Sequence, residues 1–139
     1  MARTVREVMT SDIVTCDAST SLVDAARLMR DRDVGDVLVT DHNQLRGIVT
    51  DRDIVVRCVA EGVDVNQATI AGAMSSDIAT VGPDTDVEEA ARLMRRYSVR
   101  RLPVVENGAP VGIVSIGDLA IEEDPNSALA DISSAPPNA

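Results

Sequence analysis

Two stretches of the chain, residues 47–53 and 112–118, each place a hydroxyl residue three positions before an aspartate. The pairs are Thr50 with Asp53 and Ser115 with Asp118, and each follows a short apolar run that reads as a strand. A strand that passes directly into a helix presents backbone N–H groups and a hydroxyl to an anion or a sugar. The aspartate carboxylate can accept two hydrogen bonds from a vicinal diol such as that of ribose. The alternative interpretation is that the hydroxyl and the aspartate only cap a helix.

A second candidate for ligand chemistry is the adjacent pair Arg100 and Arg101, at the entrance of the strand predicted within residues 99–104. Two guanidinium groups there can clamp a phosphate. The alternative is an exposed basic corner that pairs with nearby carboxylates. The corresponding positions earlier in the chain are Gly35 and Asp36, so we expect the two regions to differ in electrostatics.

These candidates belong to an internal duplication. Residues 9–54 and 74–119 align without a gap at an offset of 65 (74 − 9), and 18 of the 46 aligned positions are identical. A period of this length indicates that one whole supersecondary unit is duplicated. We therefore expect two similar clefts, with function located in them.

Each repeat predicts the order β-α-β-β-α. Apolar residues at helical spacing predict a helix over residues 20–32, and residues 85–88 predict a capping box that opens its counterpart in the second repeat. Polar turns, such as the one containing Asn107 and Gly108, join the two later strands as hairpins. Asp51 is expected to cap a last helix over residues 52–61. The fold class is α/β (α+β), with two repeats packed as a pseudo-two-fold sandwich, because neither half buries enough surface alone.

Composition excludes several functional classes. The net charge of −10 argues against non-specific nucleic-acid binding, and no apolar run is long enough for a membrane helix. The start of the sequence has no signal-peptide pattern, so a cytoplasmic location is expected. His42 is the only histidine, and no phosphate-binding glycine loop or nucleophile elbow occurs, so we predict neither an enzyme nor a metal site. Cys16 and Cys58 are expected to be buried thiols, with a redox role as the alternative.

The duplicated units, the Val-Arg-Arg-Leu-Pro-Val strand and the Gly-Ile-Val-Thr-Asp-Arg-Asp ending resemble a tandem pair of CBS domains, the Bateman module. The resemblance covers about residues 4–121. The two repeats would span residues 4–61 and 70–121, with a short polar linker at 62–70. The acidic, Pro-rich tail at 122–139 is expected to be disordered. The resemblance further implies a regulatory protein that forms homodimers, shaped as a disc, and needs no cofactor. The implied ligands are AMP, ADP or ATP, with S-adenosylmethionine or NAD as further possibilities.

The resemblance also implies two ligand clefts between the repeats, each combining the aspartate of one repeat with the first strands of the other. The main cleft would comprise Thr50, Asp53, Ile48, Ile78, Ala79, Val99, Arg100 and Arg101. The second, weaker cleft would comprise Ser115, Asp118, Ile113, Ile13, Val14, Val34, Gly35 and Asp36. The main cleft is predicted to bind nucleotide better, because Arg100 and Arg101 attract phosphate whereas Asp36 repels it.

Three functions from different classes are considered. The first is a stand-alone sensor, in which an adenosine nucleotide changes how the module meets a protein partner. The second is a ligand-free dimeric scaffold with vestigial clefts, and a redox-responsive protein that uses Cys16 and Cys58 is a third. Thr50, Asp53, Arg100 and Arg101 favour the sensor.

Overall fold

The helices and strands follow the predicted order in the first repeat and lack one predicted strand in the second. The structure is a computed structural model that describes residues 3–123, for residues 121–123 the backbone alone. Its elements are α1 (Val5–Val8), β1 (Thr15–Asp17), α2 (Leu22–Arg32), β2 (Asp36–Asp41), β3 (Gln44–Thr50), α3 (Asp51–Ile54), a π-helix (Val55–Val59), a 3₁₀-helix (Ile70–Gly72), α4 (Val87–Tyr97), β4 (Arg101–Glu106), β5 (Ala109–Ser115) and α5 (Ile116–Glu123). The predicted tail therefore begins inside α5, and the rest of it lies outside the described residues.

The described residues form two compact units. The first-repeat unit is residues 13–78, and the second-repeat unit is residues 3–12 together with 79–123. Each unit thus contains one repeat and the segment that precedes the other repeat in the chain. The predicted boundaries at 61, 62 and 70 stay predictions.

The first-repeat unit is built on a three-stranded sheet. Strand β1 pairs with β2 in parallel, and β2 pairs with β3 in antiparallel orientation. The turn between β2 and β3 uses His42 and Asn43 in the left-handed region, as a tight hairpin requires. Helix α2 buries Leu22, Ala25 and Met29 against the sheet, where aliphatic side chains make the core.

The second-repeat unit has one strand fewer than predicted. Strands β4 and β5 form an antiparallel pair, but the expected first strand is reduced to a single parallel bridge between Val81 and Val104. The pairing stops there because the N–H of Gly82 donates to the Thr85 hydroxyl at 3.1 Å, and Pro83 has no N–H to donate. The β-α-β-β-α prediction is confirmed in the first repeat and shortened by a strand in the second.

Two glycines explain why each unit takes up the segment that precedes the other repeat. Residues 9–10 cover β5 and residues 74–75 cover β3, through reciprocal backbone hydrogen bonds of 2.9–3.0 Å. A Cβ at Gly47 would lie 2.6 Å from the Ser75 carbonyl oxygen, and one at Gly112 would lie 2.9 Å from that of Thr10. Only glycine permits this approach, which accounts for its recurrence at the two matched positions.

Two predicted helix caps are wrong. Helix α4 begins at Val87 after Asp86, which makes no side-chain cap hydrogen bond, so the capping box predicted for residues 85–88 is wrong. The Thr85 hydroxyl accepts from Gly82 instead. Helix α3 is capped by Thr50 rather than by Asp51.

Candidate functional site

The Thr50–Asp53 pair closes a capping box at the junction of β3 and α3. The Asp53 N–H donates to the Thr50 hydroxyl at 3.0 Å, and the Thr50 N–H donates to Asp53 Oδ2 at 2.9 Å. The Asp53 side chain is 19% exposed. One carboxylate oxygen is therefore fixed by the backbone, and the other, Oδ1, takes no part in the capping box.

The Ser115–Asp118 pair repeats this geometry at the junction of β5 and α5. The Asp118 N–H donates to the Ser115 hydroxyl at 3.1 Å, and the Ser115 N–H donates to Asp118 Oδ2 at 2.8 Å. The capping interpretation is thus confirmed for both pairs. Capping leaves the second carboxylate oxygen able to accept from a diol, so it is compatible with a ligand role.

The strand register places a charged residue directly opposite each hydroxyl. Asp36, the first residue of β2, pairs with Thr50, and Arg101, the first residue of β4, pairs with Ser115. Backbone hydrogen bonds hold these strand starts: the Asp51 N–H donates to the Gly35 carbonyl at 2.9 Å, and the Ile116 N–H donates to the Arg100 carbonyl at 2.8 Å. Arg100 and Arg101 consequently share a unit with Asp118, and Asp36 shares a unit with Asp53.

Arg57 is a charged neighbour of Asp53 that the sequence analysis missed. Its Nε lies 3.8 Å from Asp53 Oδ1, and its Nη1 donates to the Ala73 carbonyl at 3.4 Å. The spacing of four residues along one helix would have indicated this pair. At the matched position of the second repeat the sequence has Glu122.

The remaining predicted cleft residues are distributed over both units. Ile13, Val14, Val34, Gly35, Ile48 and Ile78 lie in the first-repeat unit, and Ala79, Val99 and Ile113 lie in the second. Val14 is buried and Val99 is 36% exposed. Each predicted cleft draws on both units, and its assembly stays a prediction.

Two cavities each lie within a single unit, and neither is lined by a residue of the two hydroxyl–aspartate pairs. One of about 730 Å³ is beside the β2–β3 turn, where Asp41 and Arg46 contribute charged groups and His42 an imidazole. The other, of about 340 Å³, is an apolar groove between α4 and α5, lined by Ala91, Met94, Arg95, Val99, Ile116, Leu119 and Ala120. Val99 is the one predicted site residue among the linings of these two cavities.

Both thiols lie in the first-repeat unit and carry no disulfide. Cys58 is buried, whereas Cys16 is half-buried on β1. Burial raises the pKa of the Cys16 thiol, the hydrogen bond with Thr20 lowers it less, and the charge of Asp17 raises it further. Among residues 3–123, no three His, Cys, Asp or Glu side chains converge as metal ligands would. No helix in that range has the length and apolar character needed to cross a bilayer.

Comparison with known proteins identifies a family with this architecture. The CBS domain model matches residues 5–59 and again residues 68–123. The chain is 37% identical over 133 residues to the CBS domain-containing protein YhcV of Bacillus subtilis (strain 168), covering 93% of this chain and 94% of that one.

Solved structures give the same result. The CBS domain pair of protein MJ0100, in complex with 5′-methylthioadenosine and S-adenosyl-L-methionine, superposes with a TM-score of 0.81 at 25% identity, covering 91% of this chain and all of that one. A hexameric CBS-CP12 protein from bloom-forming cyanobacteria superposes with a TM-score of 0.77 at 29% identity, covering 95% of this chain and 81% of that one. The predicted mixed α+β fold is confirmed.

Proposed function

Because the chain belongs to the CBS domain family as a tandem pair, we propose that it is a regulatory module that binds an adenosine-type ligand and acts through a protein partner. The observation that carries this proposal is the pair of hydroxyl–aspartate boxes, each with one carboxylate oxygen fixed by the backbone. A carboxylate held in this way is oriented before a ribose diol arrives, which lowers the ordering cost of binding. No catalytic role is assigned to any residue.

The ligand we propose is AMP, ADP or ATP, with S-adenosylmethionine or NAD as the alternatives. The MJ0100 pair, which binds two adenosine compounds, supports the adenosine part of this proposal. The adenine would lie between aliphatic side chains such as Val99 and Ile113, because the chain has a single aromatic residue, Tyr97.

The strand register changes which aspartate we pair with the arginines. The sequence prediction assigned Arg100 and Arg101 to the Asp53 cleft. Arg101 lies opposite Ser115 in its own sheet, so we propose that the arginines act first with Asp118. The prediction that the Asp53 cleft binds nucleotide better therefore stands against the proposal that the Asp118 site does. One experiment distinguishes the two.

Calorimetric titration of the whole chain with AMP, ADP, ATP, S-adenosylmethionine and NAD, with and without magnesium, tests the function. We expect binding that weakens at least about tenfold in Asp118→Asn, since the substitution removes a charge-assisted hydrogen bond but keeps an oxygen for the cap. Asp41→Asn, at the far end of β2, is the matched control.

A ligand-free scaffold is the second candidate function, and one observation favours it. Capping alone accounts for the hydrogen bonds that Asp53 Oδ2 and Asp118 Oδ2 accept. Folded protein that gives no heat with any of these compounds would establish the scaffold and refute the sensor. A cytoplasmic location stays a prediction of the sequence in both cases.

We also propose that the module is a homodimer that uses the groove between α4 and α5. Ile116, which lines the groove, is 46% exposed, and Tyr97, the last residue of α4, is 52% exposed. Apolar surface of this kind marks protein contacts. The CBS-CP12 neighbour is hexameric, which supports self-association. Ile116→Asp, which installs the residue found at matched position 51, should yield monomers in light scattering, whereas a dimeric variant would refute this face.

A further inference from the structure

The two repeats carry opposite charges at one matched place in the fold. Asp36 and Arg101 are both the first residue of the strand that follows the repeat's first long helix, and 101 − 36 gives the repeat offset of 65. Each pairs across the sheet with the hydroxyl residue of its capping box. Residues directly opposite in an antiparallel pair have Cβ atoms about 5 Å apart. The charge at this place is therefore a neighbour of the carboxylate proposed to hold ribose.

We propose that the two half-sites select adenosine ligands of opposite charge. The Arg101–Ser115–Asp118 half-site takes phosphorylated adenosine, and the Asp36–Thr50–Asp53 half-site takes adenosine compounds without phosphate, neutral or cationic. The inference rests on the proposed function and adds the ligand class of each half-site.

The preceding residue strengthens the difference between the two strand starts. Position 100 is an arginine and position 35 is a glycine, so the strand starts differ by three charges: two positive in the second repeat against one negative in the first. Arg101 is exposed, and Asp36 is half-buried at its strand start. A phosphate near Asp36 would lack the attraction of the two arginines in the second repeat and would also be repelled by the Asp36 carboxylate.

At a matched position after each box, the charges of the two repeats are reversed relative to the strand charges. The first repeat has Arg57 there, and the second has Glu122. The guanidinium of Arg57 is already engaged by Asp53 Oδ1 and by the Ala73 carbonyl. Arg57 therefore lies beside Asp53 on the helix side of the box, whereas Asp36 lies opposite Thr50 on the sheet side. For this reason we assign the selection to the strand residue.

Adenosine and AMP make a matched pair of probes, because they differ only in the phosphate. Calorimetry on Asp53→Asn isolates the Asp118 half-site, which should bind AMP at least about tenfold more tightly than adenosine. That is the effect expected of one unit charge about 6 Å away at an effective dielectric constant near 40. Asp118→Asn isolates the Asp53 half-site, where adenosine should bind at least about tenfold more tightly than AMP, because the charge of Asp36 repels the phosphate. Cationic S-adenosylmethionine should bind there more tightly still.

Exchange of the strand charge then tests the cause. Asp36→Arg, added to Asp118→Asn, should reverse the preference toward AMP by about tenfold or more. Asp41→Arg is the matched control: it makes the same substitution at the other end of β2, about 17 Å away at five residues of strand rise. We expect it to leave the AMP-to-adenosine ratio unchanged.

The outcomes separate this inference from the function it rests on. Equal AMP-to-adenosine ratios at the two half-sites, or equal effects of Asp36→Arg and Asp41→Arg, would overturn the charge selection and leave the sensor intact. Wild-type protein that binds neither probe would overturn both. If an asparagine variant unfolds, wild-type protein saturated with AMP decides, because it should retain one adenosine site per chain.

Discussion

The hydroxyl–aspartate boxes of the two repeats are alike in geometry and unlike in surroundings. Their two hydrogen bonds measure 2.9 and 3.0 Å in the first repeat and 2.8 and 3.1 Å in the second. The residue across the sheet is nevertheless an aspartate in one and an arginine in the other. Capping fixes the box because it satisfies backbone donors that helix formation leaves unpaired. The residue at the strand start takes no part in the capping box, so its charge can differ between the repeats, and with it the proposed ligand.

The largest expected effect concerns the backbone contacts that the repeats share. Gly47→Ala and Gly112→Ala should each lower the free energy of unfolding by about 2–3 kcal/mol, because the added methyl group meets a carbonyl oxygen. Urea denaturation measures this, with Gly72→Ala as the control, since a Cβ there meets nothing within 4 Å. A loss in only one of the two variants would show that the covering segments are not equivalent.

Next in size is the contribution of Arg101 to nucleotide affinity. Arg101→Ala should weaken AMP binding about tenfold, since a hydrogen bond to a charged group contributes about 1.5–3 kcal/mol. Arg46→Ala removes the same exposed charge beside the β2–β3 turn and should leave affinity unchanged. Loss of affinity that appears in the Asp53 half-site, with the Asp118 half-site unaffected, would return the arginines to the cleft assigned from the sequence.

The two caps should contribute equally to stability. Thr50→Ala and Ser115→Ala each remove a hydroxyl that accepts from the aspartate N–H, at a cost of about 1 kcal/mol. Thr85→Ala is a useful comparison, because its hydroxyl accepts from Gly82 outside a helix start. If the free energies of unfolding of Thr50→Ala and Ser115→Ala differ by more than about 1 kcal/mol, one box has a further structural role.

Arg57 should matter less than either cap. The pair with Asp53 joins a half-exposed guanidinium to its carboxylate at 3.8 Å, and exposed pairs of this kind contribute about 0.2–1 kcal/mol. Arg57→Ala should therefore change AMP and adenosine affinity together, by less than about fivefold. Titration with the two probes checks this, and an effect on AMP alone would make Arg57 a phosphate contact.

Periodicity predicted the fold because most of its elements depend on local chemistry. Alternating and helical apolar patterns located β2, β3, α2 and α4, and the aligned repeats located both boxes. The missing strand in the second repeat follows from the hydrogen bond of Gly82 to Thr85, a competition that a propensity pattern does not contain. The sequence also could not predict which charged strand residue lies next to each hydroxyl–aspartate box. The strand register that places Arg101 opposite Ser115 is a tertiary property.

The smallest expected effect concerns a position that the repeats do not share, Cys16, whose counterpart is Val81. The raised pKa of this half-buried thiol leaves less thiolate at neutral pH than an ordinary cysteine has, and thiolate is the reactive form. Alkylation of Cys16 should therefore be slow at pH 7, and its rate should rise with pH along a curve displaced above that of a free cysteine. Mass spectrometry after iodoacetamide pulses measures this rate, and Cys16→Ser shows what remains from buried Cys58. Rapid alkylation at pH 7 would instead support a redox role in the first repeat. The second repeat cannot have this role, because Val81 stands at the matched position.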